Sequence, residues 1–100
     1  MPEFGTPFSG VKNERKVTEQ ELIRAIRFMV AAEYEAIQLY LQLAESTDNK
    51  LAREVLKDIA DEEKVHAGEF LRLLKELAPD EEGFYNEGAK EVEEEIEKNA

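Results

Sequence analysis

Three residues in this 100-residue chain have the types and spacing of a metal-binding site: Glu33, Glu63 and His66. Glu63 and His66 lie three positions apart in the stretch DEEKVHAGEF, residues 61–70, which contains the single histidine. Three positions are nearly one helical turn, so both side chains project from the same side of a helix. Together they offer carboxylate oxygen and imidazole nitrogen, a donor set that suits iron, manganese or zinc.

The two carboxylates are informative because each interrupts an apolar stripe with helical spacing. On the second stripe the residues are Val55, Ile59, Glu63, His66, Phe70, Leu74 and Leu77. On the first they are Ile26, Met29 or Val30, Glu33, Ala36 or Ile37, and Tyr40. An unpaired buried charge costs several kcal/mol, and no Lys or Arg occupies either stripe at this level. A bound cation is the favoured interpretation, and the alternative is a protonated carboxyl pair hydrogen-bonded to a neutral histidine.

Two long helices must position these side chains. Thr18 and Glu21 match a capping box, which predicts the start of an amphipathic helix of about 27 residues. Residues 45–50 form a tight connection, with Asp48 or Asn49 as the cap of a second helix that Pro79 ends. Helices joined by a short turn pack antiparallel, which would place the two carboxylates at one level.

The sequence therefore predicts an all-α protein with three segments. Residues 18–78 form an antiparallel two-helix hairpin, and residues 79–100 form a short C-terminal helix or tail. Gly83 and Gly88 are expected to break any long helix there. Residues 1–17 have little periodicity and are interpreted as a flexible leader or a remnant of expression.

The hairpin predicts an assembly, because two helices cannot cover both of their apolar stripes. We expect two chains to dimerise into a four-helix bundle. One chain supplies three ligands, whereas two chains related by a two-fold axis supply four Glu and two His. That is the ligand set of the di-iron carboxylate bundles.

Composition excludes several other functions. Asp and Glu number 24 against 13 Lys and Arg, giving a formal net charge of −11, which argues against nucleic acid or an anionic membrane surface as a partner. No apolar run reaches the roughly 18 residues of a membrane span, and no secretory signal is visible. The absence of cysteine excludes disulfides and thiolate sites and fits a reducing cytoplasm.

Four further residues are candidates for supporting roles. Tyr40 follows Glu33 by about two turns on the same face, where its hydroxyl could reach a ligand or a metal, and an ordinary core tyrosine is the favoured alternative. Glu35 is a candidate for a path by which metal approaches, and a solvated side chain is the alternative. Glu62 and Glu69 are candidates for hydrogen bonds to the imidazole, and for Glu62 surface ion pairing is the alternative.

The segments AAEYEAIQLY (31–40), LAESTDNKLAREVLKDIA (43–60) and DEEKVHAGEF (61–70) resemble the encapsulated ferritins, relatives of ferritin and rubrerythrin. The resemblance implies five dimers in a decameric ring, each with a di-iron ferroxidase centre at its dimer interface. It places Glu33, Glu63 and His66 as iron ligands, Tyr40 as the aromatic beside the site and Glu35 on the metal access path. It also implies a location inside an encapsulin shell.

Two positions and the C-terminus depart from that family pattern. Ala32 replaces an acid that often precedes the ligand Glu, which weakens the expected access site, and Leu39 replaces a tryptophan. No targeting tail for the shell is obvious after Glu97.

The expected function is a ferroxidase that converts Fe(II) to Fe(III) for iron storage or detoxification, with other divalent metals as further ligands of the site. One alternative is a rubrerythrin-like di-iron peroxidase. The other is a non-enzymatic, dimerising helical module in which the Glu and His side chains form a polar layer that fixes the helix register.

Overall fold

A computed structural model describes Gly10 and residues 12–100, and this part of the chain contains three α-helices and no strand. Helix α1 is Glu19–Glu45, α2 is Lys50–Leu77 and α3 is Pro79–Lys98. The prediction of an all-α hairpin followed by a C-terminal helix is confirmed.

The ends of the hairpin helices follow from their capping residues. The Thr18 hydroxyl accepts a hydrogen bond of 3.2 Å from the Glu21 backbone N–H, and the Glu21 carboxylate accepts one of 2.8 Å from the Thr18 N–H. This is the predicted capping box. Asn49 caps α2 by accepting a hydrogen bond of 2.9 Å from the Ala52 N–H. Helix α2 ends at Leu77, before the proline, as predicted.

The hairpin is held by one apolar seam along the facing sides of α1 and α2. Its buried residues are Ile23, Ile26, Val30, Ile37 and Ala44 of α1, with Ala60, Ala67 and Leu74 of α2. Larger side chains gather at the end away from the turn, where Phe70 and Leu77 pack against the buried cluster. Toward the middle of α2 the seam narrows to alanine, which lets helix axes approach closely.

Helix α3 corrects the prediction of a short element broken by glycine. It is 20 residues long and continues through both Gly83 and Gly88. Pro79 occupies its first turn, where a missing N–H costs nothing, and Asp80 and the acids after it lie at the positive end of the helix dipole. These terms offset about 1 kcal/mol for each glycine.

Helix α3 projects from the hairpin and contacts it near the junction. Glu81 forms an ion pair with Arg27 of α1 and accepts a hydrogen bond from the Tyr85 hydroxyl. Lys75 of α2 lies 3.1 Å from Glu82. No residue of α3 is buried. The projecting helix gives the chain extents of 53 × 45 × 20 Å.

Two further predictions concern membrane-spanning helices and the N-terminal leader. Across the described residues, none of the helices has the length and apolar character needed to cross a membrane. The flexible leader predicted for residues 1–17 falls largely on residues 1–9 and 11, which lie outside the described part, and it stays a prediction.

Candidate metal centre

The hairpin brings Glu33 of α1 together with Glu63 and His66 of α2. One potential ligand atom from each lies within 4.8 Å of the other two. The His66 Nδ1 is 3.6 Å from Glu63 Oε1 and 3.8 Å from Glu33 Oε2. These separations are too long for hydrogen bonds. Two metal–ligand bonds of about 2.0–2.2 Å can span up to about 4 Å, so one cation can contact His66 Nδ1 together with either carboxylate oxygen.

Both carboxylates continue the seam of the hairpin. Glu33 lies between buried Val30 and Ile37 on α1. On α2, Glu63 lies between Ala60 and Ala67, which are 0% and 3% exposed. Small side chains on either side of Glu63 let α1 approach closely enough for the two carboxylates to meet.

Those alanines are the positioning residues that the sequence argument did not single out. The sequence indicates this role through their positions, three residues before and four residues after Glu63, which place both alanines on the same helix face as Glu63.

The charges in this cluster are poorly compensated by protein groups. The side chains of Glu33 and Glu63 are each 18% exposed. Glu33 Oε2 is inaccessible to solvent and accepts no hydrogen bond from the described residues. Among those residues, no Lys or Arg lies within ion-pair distance of either carboxylate, and the neighbouring basic side chain is the His66 imidazole. Because an unsatisfied buried acceptor costs about 1–3 kcal/mol, and a charged one more, the arrangement favours a bound cation.

The position of His66 corrects the predicted stripe on α2. Its side chain is 48% exposed and Val55 is 46% exposed, so neither belongs to the seam of a single chain. Ala67 occupies the seam instead. His66 lies at the edge of the seam with Nδ1 near both carboxylates, and it leaves the cluster open on one side.

The four residues predicted for supporting roles lie outside this cluster. Tyr40 is partly buried two turns farther along α1, and Glu35 is partly buried on the same helix. Glu62 and Glu69 are exposed on α2. Their predicted roles, a site aromatic, metal access and imidazole hydrogen bonding, stay predictions.

A helical hairpin with two facing carboxylates and a histidine on its seam has the architecture of half a ferritin-like bundle. The chain belongs to the Rubrerythrin family, which matches residues 13–99.

Two relatives and one solved structure refine this placement. The chain is 37% identical over 84 residues to the ferritin-like–encapsulin shell fusion protein of Pyrococcus furiosus, covering 84% of this chain and 24% of that one. It is 42% identical over 67 residues to the encapsulin nanocompartment cargo protein EncC of Myxococcus xanthus, covering 67% and 52%. The chain thus spans about a quarter and about half of these relatives.

The solved structure covers nearly the whole chain. The crystal structure of the encapsulated ferritin domain from Pyrococcus furiosus aligns with a TM-score of 0.82 and 34% identity, covering 92% of this chain and 94% of that one. The resemblance to encapsulated ferritins is therefore confirmed.

Proposed function

We propose that this protein is a ferroxidase that oxidises Fe(II) to Fe(III) at a di-iron centre shared between two chains. The observation that carries the proposal is the meeting of Glu33, Glu63 and His66, with the solvent-inaccessible Glu33 Oε2 left without a hydrogen bond. Oxygen and nitrogen donors without sulfur suit iron, manganese and zinc. Of these, zinc has no redox chemistry, and iron is the metal common to the family's di-iron bundles.

The open side of the cluster supports a second chain. Val55 and Leu73 are 46% and 42% exposed. At about 100° per residue, both lie within about 20° of His66 around α2, so they extend an uncovered apolar face through the histidine. A second hairpin on this face would bury it and bring a second copy of the three ligands. The six side chains would then complete the ligand set of a di-iron carboxylate bundle.

Fe(II) is the substrate, and the protein groups bind it and balance its charge. Two Fe(II) ions give up two electrons, which with two protons reduce dioxygen to hydrogen peroxide or hydrogen peroxide to two waters. The carboxylates favour the more highly charged Fe(III) product electrostatically. Because two relatives are named for encapsulin, we place this reaction inside an encapsulin compartment for iron storage or detoxification, with dimers gathered in a decamer.

Membership of the Rubrerythrin family favours one alternative, a peroxidase that uses the same three ligands. The two functions differ in oxidant and product. A ferroxidase consumes Fe(II) continuously and releases ferric product, whereas a peroxidase keeps its iron and consumes hydrogen peroxide.

The first experiment is anaerobic loading of the purified protein with Fe(II), followed by elemental analysis and native mass spectrometry. The proposal expects one iron per chain, found in pairs in assemblies with an even number of chains. Iron at background level in an unchanged dimer would instead support the structural polar layer and contradict the proposal.

Rapid-mixing kinetics then test the reaction and its oxidant. The Glu63→Gln and His66→Ala variants should lose rapid Fe(II) oxidation with both dioxygen and peroxide. Asp58→Asn, which removes an exposed carboxylate on the same helix, is the matched control and should keep the rate. Equal rates in all of these proteins would refute the assignment.

A further inference from the structure

Helix α2 separates its positive and negative side chains around its circumference. At about 100° per residue, five of its six Lys and Arg residues lie within a sector about 60° wide, and no Asp or Glu of α2 falls there. All five side chains are exposed. This basic sector consists of Lys50, Arg53, Lys57, Lys64 and Lys75. One side of the hairpin is therefore positive in a chain whose net charge is −11.

The half of the basic sector nearest the turn borders a recess. The recess has a volume of about 620 Å³ and lies between the end of α1 and the start of α2. Three cations of the sector line it: Lys50, Arg53 and Lys57. Leu41 and Ala44 of α1 give it an apolar wall. The recess thus joins positive charge with apolar surface.

The three cations of the recess have no ion pair of their own. Although Glu45 and Glu54 line the same recess, no carboxylate in the described part of the chain lies within 4.0 Å of the charged nitrogens of these cations. The other two cations of the sector each have a carboxylate partner, at 3.2 and 3.1 Å. Uncompensated positive charge is therefore concentrated at the turn end of the sector.

The basic sector points away from the candidate metal centre. Its middle lies about 170° around α2 from His66. A second hairpin on the His66 side would leave the basic sector uncovered. A ligand of this sector would therefore bind without metal and without displacing the second chain of the proposed di-iron centre.

We propose that the basic sector and its recess bind an acidic, extended segment of a different polypeptide. Opposite charge supplies the attraction and the orientation. The apolar wall favours a peptide with an aliphatic side chain over an inorganic anion, because such a side chain can anchor in the recess. At 1.5 Å per residue the sector is about 38 Å long, which matches about eleven extended residues.

Neighbouring acids restrict the shape of the partner. Glu54, Asp58 and Asp61 lie on α2 beyond the solvent-facing edge of the basic sector. A broad anionic surface, such as a membrane or a nucleic-acid duplex, would also meet these carboxylates and be repelled. A single extended chain can follow the groove between α2 and α1 without covering them.

Fluorescence anisotropy of a labelled peptide tests the proposal with the full-length, metal-free protein. The peptide has about twelve residues, of which about eight are Asp or Glu and one near the middle is leucine. A second peptide has every acid replaced by its amide. The acidic peptide should bind at least about tenfold more tightly than the amide peptide, because the amides keep the shape and remove the charge.

Charge reversal identifies the surface that binds. Arg53→Glu and Lys57→Glu should each raise the dissociation constant of the acidic peptide about tenfold, the scale of close interfacial charge pairs. Arg53→Glu places an acid near the start of α2, where the helix dipole favours it, and circular dichroism should show unchanged helix content. Arg72→Glu makes the same charge change on α2 outside the sector and should keep the affinity. The double variant Arg53→Glu/Lys57→Glu should prefer a peptide whose acids are replaced by lysine.

Three results would each overturn the proposal. One is an equal loss of affinity in Arg53→Glu and Arg72→Glu. Another is tighter binding of inorganic polyphosphate or poly(U) than of the acidic peptide, which would indicate a general polyanion site. The third is a changed assembly mass of Arg53→Glu in native mass spectrometry, which would assign this side to contacts between copies. Fe(II) oxidation by these variants should be unchanged in every case, so failure of the ferroxidase is measured separately.

Discussion

Replacing Ala60 with leucine tests the packing that brings the two carboxylates together. Ala60 is 0% exposed on the seam of the hairpin, three residues before Glu63. Leucine adds three carbon atoms, and alanine and leucine have similar helix propensity, so packing decides the outcome. If the seam held unfilled space, burial would stabilise the protein by about 0.8 kcal/mol per added CH2 group. In a filled seam the same atoms destabilise by about 1–3 kcal/mol.

We expect destabilisation, because close approach of α1 is what lets Glu33 reach the ligands on α2. The leucine should hold the helices farther apart. If the two helices moved about 1 Å farther apart, the 3.8 Å distance between His66 Nδ1 and Glu33 Oε2 would exceed the span of two bonds to one cation. Affinity for Co(II) or Fe(II) should therefore fall by at least about tenfold together with stability.

Urea unfolding followed by far-UV circular dichroism measures the first effect, at one chain concentration because assembly contributes to stability. Calorimetric metal titration measures the second. Ala31→Leu makes the same change at an exposed position of α1 and should alter neither quantity by much. An Ala60→Leu protein with unchanged stability and metal affinity would refute the argument that small residues set the spacing of the site.

Two further predictions concern the helix ends and the helix interior. The hydrogen bonds of Glu21 with Arg15 and the Thr18 backbone lower its pKa from 4.5 to about 2. Because the pKa of Glu21 is lower in the folded state, this stabilisation is complete above about pH 4.5 and is lost as the pH falls toward 2. NMR titration should show the low pKa of Glu21. The Arg15→Met variant should raise that pKa. Gly68→Ala adds a methyl group that meets no atom within 4 Å, so the free energy of unfolding should rise by up to about 1 kcal/mol. A lower free energy of unfolding would instead indicate that another chain approaches Gly68 closely.

The hairpin was predictable because its limits are encoded locally. The capping box at Thr18 and the proline at position 79 act through the backbone of their own helices, so residue types and spacing suffice. The choice between Asp48 and Asn49 as cap required the structure, because either side chain can accept the same hydrogen bond.

The predicted α3 was too short because Pro79 and Gly83 were each interpreted only as helix-breaking residues. Pro79 was interpreted as the end of α2, yet the same residue is suited to the first turn of a following helix. Gly83 was counted against the helix by propensity alone. The ion pair between Arg27 and Glu81 anchors α3 through a residue more than fifty positions away, which no local pattern contains.

The side chains of the candidate site were predicted better than their surroundings. Glu33 and Glu63 lie on facing sides of the hairpin at one level, as antiparallel packing of the two helices predicted. His66 was placed in the core because it continues the three- and four-residue spacing of Ile59, Glu63 and Phe70. Ala67 is buried in the seam instead, because small residues permit the closest approach of two helices. Hydrophobic periodicity does not include this effect of side-chain size.

The location of all three candidate ligands on one hairpin has a consequence for how this protein can evolve. If two identical chains complete the centre, every substitution at Glu33, Glu63 or His66 changes both halves at once. One gene then cannot give its two iron positions different ligands. Duplication and divergence of the gene, or fusion of two hairpins into one polypeptide, would be needed before the two halves could specialise.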